Sequence, residues 1–185
     1  MEPTLFCVLL VVPEQSLGDN VNPLTEEYRT MKSTVLSDTF SWYTHSTGCD
    51  DFQFFCHVVV GRPERNNMKL PTIQSDMAPL CSEVVSQLCE ANGKQIECIY
   101  RMAFNLVPVY KNSPLTSNNH VDHEFPHTNL VVHLTDAGGA TIVEGNRLEA
   151  EEDKAVFFQG KHCMEFPTSK NRVVFVATFL EREGN

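Results

Sequence analysis

The stretch AVFFQGKHCMEFPTSKNRVVFVATFL, residues 155–180, decides how this chain is to be read. It opens on a short apolar run, Ala155 to Phe158, bounded by the turn-forming Gln159-Gly160. It closes on a longer one, Arg172 to Leu180, after the turn signal Phe166-Pro167-Thr168-Ser169. Short runs rich in Val and Phe between Gly and Pro punctuation are β-strands. Two polar side chains stand out against them. His162 follows the first strand, and Arg172 begins the second. A hairpin turning near Pro167 would set His162 and Arg172 across from each other. A buried arginine needs an anion beside it, because an unpaired buried charge is costly. Two readings stay open for Arg172. The anion is an internal carboxylate such as Glu165 or Asp153, or it is the carboxylate of a ligand gripped by the guanidinium fork.

Upstream the same texture continues. Ile96 to Tyr110, Asn119 to His123, Thr128 to Leu134 and Ala140 to Val143 read as further strands. Asp136-Ala137-Gly138-Gly139 and Glu144-Gly145-Asn146 mark turns between them. Many short strands at close spacing specify a sandwich or small barrel. The first half adds helices: Thr25 to Leu36 after Pro23, and a clearer one from an Asp76 N-cap to Asn92, stopped at Gly93. Leu80, Val84 and Leu88, with Val85 beside them, form one apolar stripe that packs on a sheet. Phe52 to Val60 reads as a strand, and so does Leu5 to Val12, which is too short to span a bilayer and lacks a basic start. The expected architecture is mainly β with flanking helices. It is one domain over 1–185, with support in about 1–100 and the β core in about 101–180.

Within Asn119-His120-Val121-Asp122-His123-Glu124-Phe125-Pro126-His127, residues two apart in a strand share a face. His120 and Asp122 then project together. An imidazole beside a carboxylate suits a divalent iron site with open positions, though one such pair arises by chance in a chain with this many acids and histidines. His123 should face away unless a bulge intervenes. If residues 162–172 form the hairpin, His162 would supply a third ligand.

The ordered set of His120-x-Asp122, Leu134-x-Asp136-x-Gly138-Gly139-x-Thr141, Phe157-Phe158-x-Gly160 with His162, and Arg172 ten residues later resembles the prolyl 4-hydroxylase-like branch of the 2-oxoglutarate/iron(II) oxygenases. The match spans roughly Tyr110 to Phe179. The resemblance implies a double-stranded β-helix (jelly-roll) core with His120, Asp122 and His162 holding Fe(II), and Arg172 pairing the distal carboxylate of 2-oxoglutarate. It also implies Tyr110 near that cosubstrate, Thr141 in the pocket wall, and His133 where relatives place a tyrosine that contacts the carboxylate. The activity it implies is dioxygen-dependent hydroxylation of an unactivated C–H bond, with a peptidyl proline as the suggested substrate and a free amino acid or other small metabolite as the alternative. Phe157, Phe158, Val174 and Val176 serve as core or dry pocket wall. Two other readings keep the barrel: a cupin-like metal enzyme without 2-oxoglutarate, and a non-catalytic protein-binding module.

Charge narrows the partners. The net charge is -10, which disfavours nucleic acid and anionic membrane surfaces. Arg62, Arg65 and Lys69 are the nearest approach to a basic cluster. Seven cysteines without CxxC spacing read as reduced, mostly buried thiols, and with no transmembrane segment the expected location is cytoplasmic. Substrate choice is expected in the polar loops 61–69 and 111–118.

Overall fold

A computed structural model describes residues 21–45, 53–66, 69–111 and 115–182. The proposed strand at Leu5 to Val12 lies outside them, as do Cys7, Cys49 and Phe52. Among the described residues two α-helices, α1 (Glu26–Val35) and α2 (Ala78–Ala91), accompany ten strands. The strands are β1 (Tyr43–His45), β2 (Phe54–Gly61), β3 (Thr72–Ile73), β4 (Ile96–Val107), β5 (Thr128–His133), β6 (Thr141–Val143), β7 (Asn146–Leu148), β8 (Ala155–Phe158), β9 (His162–Met164) and β10 (Arg172–Glu181).

The larger sheet runs β1-β2-β4-β10-β5-β8, with β3 added to β2, and the smaller runs β7-β6-β9. β10 is central because it is long and apolar on both faces. Val173, Phe175, Ala177 and Phe179 point to one side and join the helices' buried stripe of Cys81, Val84, Val85 and Leu88. Val174 points to the other side and packs with Val131, Val143, Val156 and Phe158 between the two sheets. Each fully buried aliphatic or aromatic side chain contributes about 1.5–3 kcal/mol, so these two layers hold the fold. The result is the expected double-stranded β-helix core with helices against one face of the larger sheet. The early strands β1, β2 and β3 are part of that same sheet, so it runs through both territories read from the sequence. Among the described residues no helix is long and apolar enough to cross a membrane.

Three local expectations are corrected. First, residues 162–181 are not a hairpin. β9 pairs with β6, whereas β10 pairs with β4 and β5, so the turn around Pro167 carries the chain from one sheet to the other. The ten-residue β10 needs a partner along both edges, and the three-residue β9 cannot supply one. Second, Asn119 to His123 is not a strand. A single bridge joins His120 to His162 through two 2.9 Å backbone hydrogen bonds, and the chain then bends at Asp122. Third, Asp76 does not cap α2. The N-cap is Met77 without a side-chain bond, and Ser75 Oγ accepts from the Met77 N–H instead. Pro79 in the first turn lacks the N–H a cap would have served.

Other expectations hold. The helix expected over Thr25 to Leu36 forms as α1, with those two residues as its caps and Thr25 Oγ1 accepting from the Tyr28 N–H at 3.2 Å. Glu144 and Gly145, at φ of 48° and 87°, make the two-residue turn between β6 and β7. Cys56, Cys81, Cys89 and Cys163 are buried free thiols.

Candidate metal centre

β9 carries His162 at its start, and its bridge to His120 draws two distant segments together. His120, Asp122 and His162 each offer one ligand atom, and these atoms lie within 4.8 Å of one another. His162 Nε2 is 3.6 Å from Asp122 Oδ2. His120 Nδ1 lies 3.1 Å from the Asn118 carbonyl, and His162 Nδ1 lies 3.3 Å from the Gly160 carbonyl. A carbonyl only accepts, so each Nδ1 carries a proton, and in the neutral ring Nε2 is then the nitrogen with a free lone pair. Burial lowers the His162 pKa, which favours the neutral, ligating imidazole.

Asp122 is held from behind. Arg62 donates from Nη2 to Oδ1 and from Nη1 to the Asp122 carbonyl at 2.9 Å, and Arg101 Nη1 reaches Oδ1 at 3.3 Å. Burial pushes this carboxyl up, but Arg101 and Arg62, with His162 and His120, outweigh it and hold the group far below the usual carboxylate range. It is therefore ionised, with Oδ2 turned to the imidazoles. Two imidazoles and one carboxylate on one edge of a cavity fit a divalent first-row metal with open coordination positions.

His123 takes no part. Its Nδ1 meets Glu64 at 2.6 Å and its Nε2 meets Thr178 Oγ1 at 2.8 Å. His127 is buried against the Phe125 carbonyl at 2.8 Å.

The three ligands open into a cavity of about 170 Å³ between the sheets, and Arg172 lines its far side. Arg172 is 4% exposed. Its Nε donates to the Gly139 carbonyl at 3.0 Å, and its Nη1 lies 3.4 Å from Met164 Sδ. Both internal partners considered for it are engaged elsewhere. Glu165 accepts two bonds of 2.8 Å from Arg147, and Asp153 accepts from Lys32 and Tyr28 at 2.6 Å. Among the described residues no carboxylate lies within 4.0 Å of the Arg172 guanidinium. Burial alone lowers its pKa to about 10, so the group is still a cation at neutral pH.

Gly139 makes the approach possible. Its φ is +81°, and an added Cβ would stand 2.7 Å from the Glu165 carbonyl and 3.0 Å from Arg172 Cδ. Gly139→Ala is expected to cost about 1–3 kcal/mol and to shift the guanidinium, read as a lower Tm.

The remaining expected site residues divide. Thr141 lines the cavity, and its buried hydroxyl has no hydrogen-bond partner. Tyr110 does not line it; its hydroxyl donates to the carbonyl of Gln53, which does. His133 lies fully buried outside the lining, with no partner for either ring nitrogen. Burial, then the nearby Arg172 and Lys154 charges, drops its pKa from 6.5 to about 3. The unfolded chain takes up this proton near pH 6.5 and the folded one resists it until about pH 3, so stability falls as pH drops through that window. In His133→Leu the slope of stability against pH is expected to lose one proton's worth there, about 1.4 kcal/mol per pH unit, in denaturant titrations.

The sequence assigned no site role to Arg101, Asn105 or Asn129, and Arg62 entered only through a loose basic cluster in loop 61–69; all four line the cavity. The signal was available for three of them. Arg101, Asn105 and Asn129 are lone polar residues inside apolar strands, the same pattern that marked Arg172.

Comparison with protein-family models and with curated protein sequences gave no match. Solved structures do resemble the chain. An oxidoreductase of the 2OG-Fe(II) oxygenase family from Burkholderia pseudomallei superposes with a TM-score of 0.55 at 11% identity, covering 78% of this chain and 74% of that one. SnoN, a non-heme alpha-ketoglutarate-dependent epimerase of nogalamycin biosynthesis, gives a TM-score of 0.51 at 13% identity, covering 83% and 71%. At such identities the likeness establishes the fold, the double-stranded β-helix.

Proposed function

We propose that this chain is an iron(II)- and 2-oxoglutarate-dependent dioxygenase that hydroxylates an unactivated C–H bond, with iron held by His120, Asp122 and His162. The observation that carries the reading is Arg172, a buried cation with no partner acid among the described residues, facing the same cavity as three candidate metal ligands. The spacing is apt. Met164, whose sulfur touches Arg172, is two residues from His162 on β9, about 7 Å along a strand. A short dicarboxylic acid would bridge that span, one end at the metal and the other in the guanidinium fork.

Bound iron would supply dioxygen activation coupled to oxidative decarboxylation of 2-oxoglutarate. The chain's own residues do the placing. Arg172 binds the distal carboxylate, and Thr141 has a hydroxyl to offer it. Arg62 and Arg101 fix the orientation of Asp122. Val131, Val174, Val176 and Phe158 wall the cavity with apolar surface that keeps water out.

The test is turnover of 2-oxoglutarate to succinate with iron(II) under air. Succinate formation that needs both iron and 2-oxoglutarate supports the reading. Oxygen consumption indifferent to 2-oxoglutarate would favour a cupin-like enzyme, and a purified protein that takes up no metal would favour a binding module. A peptidyl proline is the substrate suggested by the sequence pattern; the charges of the cavity favour another class.

A further inference from the structure

The chain carries a net charge of -10, yet three of its seven arginines line this one cavity and Asp122 is the sole carboxylate among the described residues that does. Arg172 stands at one side and Arg62 and Arg101 at the other, beside the metal ligands. The two metal-side arginines differ. Arg62 makes two bonds to Asp122 and is committed to it. Arg101 makes one bond of 3.3 Å, though its side chain is only 16% exposed and a guanidinium has five donors. Its neighbours on the cavity face of the sheet extend the polar edge. Thr178 pairs with it in register, and Asn129 pairs with Thr178. Asn129 Nδ2 is buried without a hydrogen-bond partner.

Counting charge decides what this edge wants. The three arginines bring three positive charges and Asp122 one negative. A divalent metal adds two positive charges, and a dicarboxylate cosubstrate removes two. Two positive charges then remain, on the side away from Arg172. A guanidinium held in a mostly desolvated cavity is best completed by a planar or tetrahedral oxyanion.

We propose that the primary substrate is a small molecule bearing a carboxylate or phosphate, and that Arg101, with the Asn129 amide across Thr178 from it on the same face, binds that anionic group next to the metal. This rests on the oxygenase reading. Arg101 is recessed in the cavity wall, its side chain only 16% exposed, which favours a small acid over a polymer.

The experiment uses the full chain with 15N-labelled arginine, loaded with Zn(II) as an inert stand-in for iron. Seven arginine Nε–H signals are expected, assigned by substitution. Addition of 2-oxoglutarate comes first and should move the Arg172 signal; if it does not, the oxygenase reading fails and the proposal that rests on it falls too. Acetate, benzoate and phosphate are then titrated in turn, each against an uncharged counterpart: acetamide, benzamide and trimethyl phosphate. At least one anion should shift the Arg101 signal saturably, with its neutral counterpart about tenfold weaker or worse. Whether carboxylate or phosphate binds tighter identifies the source of the oxyanion. Arg101→Gln should abolish the saturable binding, while Arg101→Lys, which keeps the charge without the fork, should retain part of it. An Arg101 signal that no anion moves, or that neutral and charged probes move alike, overturns the proposal.

Discussion

Replacing Arg172 with methionine is expected to stabilise the ligand-free protein while nearly abolishing its binding of 2-oxoglutarate. The guanidinium is buried among Gly139, Met164 and Val107 with no described acid beside it. Such a cation costs free energy in the empty protein, and an apolar side chain of similar length removes that cost, worth about 1–3 kcal/mol. With the dicarboxylate present the sign reverses. The charge-assisted fork is lost, at about 2–5 kcal/mol, which raises Kd by about 30- to 5,000-fold. Thermal unfolding and calorimetric titration read the two effects separately. A less stable variant with unchanged affinity would make Arg172 a structural residue and leave the cosubstrate without an anchor.

The second large effect is at His162. His162→Ala should lower metal affinity by more than about 100-fold, since even the partners behind metal ligands are worth 10- to 100-fold. The fold should survive, because the bridge to His120 is made by backbone atoms. His123→Ala provides the contrast. It leaves the three ligands in place but strands the hydroxyl of buried Thr178, so stability should fall by about 1–3 kcal/mol while metal binding persists. Metal titration and denaturant unfolding of both variants separate the site histidine from the structural one. Equal loss of metal in both would mean that the ligand set is wrongly drawn.

Much of this was legible in the sequence because strand texture and turn chemistry are local. Ala155 to Phe158 folds as the strand expected, and Glu144-Gly145 turns as its residue types require. The convergence of His120, Asp122 and His162 was also reached, but partly for the wrong reason. Strand alternation does not bring His120 and Asp122 together; a bend does, held by Arg62 and Arg101 from elsewhere in the chain. Such a clamp depends on contacts 21 and 60 residues away in sequence, which no local pattern encodes. The supposed hairpin failed on the same ground. Whether two successive strands pair or part into separate sheets depends on which other strands compete for their edges, and β4 and β5 win both edges of β10. Arg172 was readable as a buried cation, yet only the structure shows Glu165 and Asp153 occupied by other cations. His133 and Tyr110 were placed by resemblance alone, and neither reaches the cavity lining.

The measurement that bears most directly on the central claim is an anaerobic optical titration of the purified chain with iron(II) and 2-oxoglutarate. A weak visible charge-transfer band should appear only when both are present, vanish in His162→Ala, and fade at equal cosubstrate concentration in Arg172→Met. A folded protein that gives no band with both added, or a band untouched by either substitution, would contradict the account.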